Sequence, residues 1–383
     1  MGASGYAALV FILRSGTGKV EKCNGVRLLR VGLLLLAGSG ACSRTDDVDS
    51  GRGAERGELV LSPPTLLRDA AESTLATPTL VSEDPAGRII VADPSDHNIK
   101  VYDAAGASVD LLGRAGQGPG EFAALMSAQV YRDSVLAYDV NGGRLSVFGP
   151  EGRFASARPL PGRAVPFFIR VVDDSLLLLV SGIPTRRMDG ALTLVRPDGT
   201  VRSRFLDLSR YLGDNPQLAS AVGLVADGAD GRIFASVAGG DSVWVFDYDG
   251  RRLGAFPADP VQPLVTARSL IDANGGRIRR SQGGYVVDGN RMVISLVAMD
   301  SGTVALQIAP YDGRLGIDPE EGGTFVVSTL SGGTGRLMAR QELVGFLLGR
   351  DRRDRLLLLR YASPEAEAHE LVRATLVSKR VAP

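Results

Sequence analysis

Apolar residues in this chain come in short runs of roughly four to eight, each closed by a polar turn, which is the spacing of buried strands. The clearest example is Asp84-Pro-Ala-Gly-Arg-Ile-Ile-Val-Ala-Asp93, followed by Asn98-Ile-Lys-Val-Tyr-Asp-Ala-Ala-Gly106. The unit is a turn, a strand, a loop, a second strand and then Asp-x-x-Gly or a variant. Five more copies follow. They begin at Asp133, Asp174, Asp230, Asp288 and Asp354, and lead into second strands at Arg144, Leu192, Ser242, Val304 and Glu370. Asp-Gly and Asn-Gly pairs supply the positive φ that tight hairpins need. Strands this short bury both faces and hide their edges only by stacking sheet on sheet, so a strand repeat of about 40–60 residues predicts a radial array.

Six copies predict an all-β, six-bladed β-propeller spanning residues 57–383, with seven blades the alternative if an insertion hides a degenerate copy. The length from residue 42 onward gives about 57 residues per blade against the usual 40–50. The excess is assigned to insertions near 206–220, 257–282 and 314–342. Short helices are expected, if anywhere, at 264–271 and 335–342. The last copy runs out after three strands, and Glu58-Leu-Val-Leu-Ser62 reads as a lone strand. It is expected to pair with the last blade and close the ring.

The chain begins differently. Arg27 and Arg30 precede the apolar Val31-Gly-Leu-Leu-Leu-Leu36, which runs through small residues into Cys42. This arrangement resembles a bacterial lipoprotein signal, in which the Cys is lipidated and becomes the first residue of the mature chain. Ser39 departs from that pattern, where Leu is usual. Residues 1–42 are therefore read as a signal, with a start at Val26 the alternative to Met1. Residues 43–56, polar and charged, are read as a disordered linker. The resemblance implies a lipid anchor to the outer or inner membrane of a cell envelope, with the domain facing the periplasm or the exterior.

Gly113-Arg-Ala-Gly-Gln-Gly-Pro-Gly-Glu-Phe122 is the most specific local motif. It resembles the blade-connecting signature of NHL-type six-bladed propellers, and of bacterial propeller lipoproteins in particular, most clearly over residues 77–158. The segment lacks the Lys-Ser/Thr of a P-loop and opens no helix, so a tight crossover with Phe122 packed between blades is the favoured reading. Arg114, Gln117 and Glu121 are its polar groups nearest a channel mouth and the candidate ligand-binding residues.

Composition narrows the chemistry. The chain holds 43 basic and 43 acidic residues. Residues 1–42 carry five of the former (Arg14, Lys19, Lys22, Arg27, Arg30) and one of the latter (Glu21), leaving 38 against 42 and a net of −4. That balance argues against a nucleic-acid partner. Cys23 and Cys42 both precede the propeller, so the ring has no disulfide and no thiolate metal site. His97 and His369 fall in different blades and read as separate surface side chains, which leaves no Ser-His-Asp triad. Asp93, Asp96, Asp103, Asp139, Asp247 and Asp249 recur near strand ends as turn-capping groups. The alternative is a Ca²⁺ site on the axis, as in propeller lactonases; no cofactor and no metal ligands are otherwise expected. Trp244 and Tyr248 read as inter-blade packing.

No catalytic residues are assigned. The function expected is a membrane-anchored propeller lipoprotein that binds or scaffolds a protein or small ligand. The alternatives are a metal-dependent, lactonase-like hydrolase or lyase in the channel, and a polysaccharide-binding surface.

Overall fold

The computed structural model describes residues 57–69, 75–160, 166–181, 190–208, 224–237, 240–266, 278–281, 284–287, 291–310, 324–362 and 368–378. The signal expected at 1–42, with Cys42, and the linker expected at 43–56 lie outside the described residues. Within them every regular element is a strand, and no helix is long and apolar enough to cross a membrane.

Five antiparallel sheets of four strands and one of five form six blades. Blade 1 runs Leu80–Glu83, Ile89–Asp93, Asn98–Tyr102 and Ser108–Leu112. The innermost strands of blades 2 to 6 are Leu125–Tyr131, Pro166–Asp173, Leu224–Ala229, Arg291–Ala298 and Phe346–Arg350. Each innermost strand packs on the next, and the sixth packs on the first, so the ring closes around an axis. A two-stranded hairpin, Ile278–Ser281 with Gly284–Val287, stands in the connection from blade 4 to blade 5.

Closure takes the expected form. Gly57–Leu61 is the outermost strand of blade 6 and pairs with His369–Ser378 from Gly57↔Ser378 to Leu61↔Ala374. Leu59 is buried there. Thr65–Leu67 adds to the same strand further along, with Leu67 opposite His369. The two ends of the domain are thereby held in one sheet, which leaves the ring no open edge.

The core is a set of layers between blades. Leu112, Phe122, Leu125 and Phe148 fill the seam of blades 1 and 2. Leu194, Phe205, Trp244 and Phe246 fill that of blades 3 and 4, with Tyr248 against them, as expected for Trp244 and Tyr248. The repeated Asp turns have one physical form. Asp84, Asp247 and Asp351 each accept a backbone N–H of their own turn and pair with an Arg four residues on (Arg88, Arg251, Arg355) at 2.6–3.0 Å.

Blade 5 corrects the reading of the sequence. The hairpin between its first two strands is Met299–Thr303, with Gly302 at φ 71°, and not the Asp288-Gly pair. Its outer strands, Thr324–Ser331 and Leu337–Val344, occupy the stretch read as an insertion. The helix expected at 335–342 is therefore a strand; residues 264–266 carry no regular structure, and 267–271 lie outside the described residues.

Candidate functional site

The Gly-rich connection links the outermost strand of blade 1 to the innermost strand of blade 2; Arg114 and Glu121 pair with each other, and Gln117 is exposed. Arg114 Nε and Nη2 donate to Glu121 Oε1 at 2.9 and 2.7 Å. Glu121 Oε2 accepts the Gly118 N–H at 2.8 Å. That N–H, followed by Arg114, holds the Glu121 carboxyl below its ordinary range. Arg144, from blade 2, donates to the carbonyls of Gln117, Gly118 and Glu121 at 2.6–3.0 Å. Asp139 accepts the N–H groups of Ala123, Ala124 and Gly142. The glycines are required by close approach: a Cβ on Gly113 would lie 2.2 Å from the Phe122 ring, and one on Gly116, at φ 152°, 2.2 Å from Glu121 Oε2. Phe122 is fully buried, so the crossover reading of the motif holds. Replacing Arg144 with leucine strips three carbonyls of their donor and is expected to lower stability by about 2 kcal/mol. Denaturant midpoints check this, together with faster proteolysis within 113–122.

The carboxylates singled out in the sequence do not converge on one point. Asp93 and Asp96 share Lys100, Asp103 caps its own turn, Asp139 holds the connection, Asp247 caps a turn of blade 4 and Asp249 pairs with Arg202. Among the described residues no group of three or more His, Cys, Asp and Glu is placed to hold a metal ion. His369 is not the surface side chain expected. It is 3% exposed between blades 6 and 1, because Thr65–Leu67 covers the strand that carries it.

The channel face shows what the sequence did not. An innermost strand is a sheet edge, and its buried N–H groups require acceptors. The preceding blade supplies them. Ser82 Oγ accepts the Val130 N–H, Ser127 Oγ that of Ile169 and Gln129 Oε1 that of Val171. Asp227 Oδ2 accepts the Ala298 N–H at 3.0 Å, and Gln307 Oε1 that of Leu347. At the passage from blade 3 to blade 4 the corresponding strand presents Arg170, a donor. Its guanidinium lies 5.3 Å over the Phe168 ring, and its Nε is buried without a hydrogen-bond partner.

Asp227 lies within electrostatic reach of Arg170 on blade 3 and Arg350 on blade 6. Charges on blades 3, 4 and 6 meet only across the middle of the ring. Burial raises the Asp227 carboxyl above its ordinary range, against Arg170 and the Ala298 N–H, which lower it. Burial likewise lowers Arg170, against Asp227. Arg350 is committed elsewhere, to Asp300 at 2.6 Å and Asp354 at 3.2 Å. The sequence signal was present: a lone Arg in Phe-Phe-Ile-Arg-Val-Val and a lone Asp in Leu-Val-Ala-Asp-Gly-Ala, each an ionisable group in an apolar strand.

The fold and channel define a six-bladed β-propeller. Residues 75–210 match the DUF5128 family, described as a 6-bladed beta-propeller. A member of the DUF4221 family from Bacteroides vulgatus superposes with a TM-score of 0.58 at 11% identity, over 85% of this chain and 99% of that one. A Bacteroides fragilis protein named as exported gives 0.54 at 14% identity, over 84% and 96%. Virginiamycin B lyase from Staphylococcus aureus gives 0.45 at 12% identity, over 84% and 100%. No curated protein matches the sequence.

Proposed function

We propose that this chain is an exported, lipid-anchored propeller, of the NHL-like lipoprotein kind its Gly-rich connection resembles, that binds a ligand at its channel. The observation that carries the reading is Arg170. Around it the polar side chains named above bind the neighbouring blade, whereas this guanidinium faces the buried Asp227 with its Nε unpartnered. Arg114, with an 80% exposed side chain, and the exposed Gln117 are the groups of the Gly-rich connection open to a ligand.

Export and anchoring are supported by the signal-like start ending at Cys42, and by the naming of the Bacteroides fragilis neighbour as exported. The ligand is a small molecule or a segment of a partner protein, and the membrane is engaged through the lipid. No metal enters this reading.

Membrane fractionation with ligand capture tests it. Full-length chain is expected in the membrane fraction, and Cys42→Ser is expected to leave it. Wild-type protein extracted in detergent and examined by native mass spectrometry is expected to carry a co-purifying mass that mild denaturation releases. A Cys42→Ser chain that stays in the membrane sinks the anchor. A ring that never carries or gains a ligand, across extracts of the envelope, sinks the binding role.

A further inference from the structure

We propose that Arg170 and Asp227 form a channel site for a small molecule held through a single carboxylate group, with Arg170 as its anchor. This deepens the binding role above and rests on it.

A buried Arg donor left unmatched is costly, and a ligand that supplies the acceptor recovers that cost. The Phe168 ring lies beneath the guanidinium, 5.3 Å from its carbon, and no ion pair joins Arg170 to a described carboxylate. A planar carboxylate fits the fork of Nε and one Nη side-on, with two parallel hydrogen bonds. Asp227 sets the charge limit. Its oxygens accept the N–H groups of Ala298 and Gly228, which fixes a second acidic group near the anchor. A monoanion tolerates that neighbour better than a dianion does, which favours a carboxylate over a phosphate.

The same geometry couples binding to protons. The charged groups facing Asp227 are Arg170 from blade 3 and Arg350 from blade 6; blade 5 contributes the Ala298 N–H and its own strand the Gly228 N–H. An anion seated on Arg170 opposes the ionised form of Asp227, so binding favours proton uptake and tightens as pH falls.

The test titrates the full-length chain with acetate, benzoate and inorganic phosphate at matched ionic strength, near neutral pH and at about pH 5, by calorimetry. Both carboxylates are expected to bind, and phosphate, partly a dianion near neutral pH, to bind more weakly there. Arg170→Gln is expected to weaken the carboxylates about tenfold or more. Asp227→Asn keeps an acceptor for Ala298; it is expected to tighten binding and to abolish its pH dependence. Arg170→Lys keeps the charge without the fork and guards against misfolding of the glutamine variant. A folded lysine variant that binds acetate as tightly as wild type overturns the site. So does phosphate binding that equals carboxylate binding near neutral pH, or the absence of any carboxylate binding. A ring that captures an envelope ligand yet ignores all three anions keeps the binding role and loses this site.

Discussion

Replacing Asp93 with alanine is expected to destabilise the ring by about 3–5 kcal/mol, the scale for removing one partner of a buried ion pair. Asp93 is fully buried at the end of the second strand of blade 1, and Lys100, 2% exposed, meets it at 2.9 Å. The carboxylate also accepts the N–H groups of Ala76 and Thr77 and the Thr77 hydroxyl. It thereby fixes the segment that leads into the first strand of the ring. Alanine leaves a buried ammonium without its buried counter-charge and three donors without an acceptor. Asp96 is the control. It reaches the same Lys100 at 2.8 Å, but its side chain is 35% exposed, so Asp96→Ala is expected to cost about 1 kcal/mol or less. Urea midpoints with unchanged m-values measure both. Equal losses in the two variants would show that the buried pair adds nothing beyond a surface contact.

That pair also shows where sequence reading stops. Asp93 and Lys100 stand in adjacent strands of the clearest repeat, yet nothing in their spacing marks them as buried together. Covering from outside the repeat, by the segment around Thr77, decides that. The second and third strands of blades 1 to 4 were legible because Asp and Gly turns punctuate them, as Asp84–Arg88 and Asp247–Arg251 do. The closing strand was legible for a related reason: an apolar run left over at one end matched a strand missing at the other. The innermost strands carry no such punctuation. Asp227 belongs to an Asp-Gly pair that reads as a turn, yet it sits inside the strand Leu224–Ala229.

In blade 5 the reading slipped by one strand, because Asp288-Gly resembles the turn that Met299–Thr303 makes. Its outer strand then passed for a helix. Leu337, Met338, Ala339, Arg340, Gln341 and Glu342 are all good helix formers. Pairing with Thr324–Ser331 overrides them, and Gly335 enters that strand at φ 68° against Phe256. The channel site was missed for the same reason as its strands. Arg170 and Asp227 are far apart in sequence, and only the packing of blade 4 on blade 3 brings them within reach.

Acid should loosen the closing seam, through His369. The ring is 3% exposed, stacks on Tyr361 with centroids 4.6 Å apart, and has neither nitrogen hydrogen-bonded. Burial pushes its pKa down to about 4, against the pull of Asp69 and Asp93 and with the push of Lys100. An unfolded histidine titrates near 6.5. Between those values the unfolded chain takes up a proton that the folded ring refuses, so stability falls as pH drops below about 6.5. The loss approaches about 3 kcal/mol once the pH is below the folded value. Above 6.5 the group is neutral in both states and contributes no slope. His369→Phe keeps an aromatic ring against Tyr361 and removes the titration. Its stability measured by urea from neutral pH down to about pH 4 is expected to fall less steeply than wild type by that amount. A packing change shifts the whole curve and leaves the difference in slope intact, because every other group is common to the two proteins. Parallel curves would mean that the seam accepts the charge, with the imidazolium held by Asp69 or Asp93. Converging curves with fragments cut near residues 57–67 at low pH would place the first opening at the strand that closes the ring.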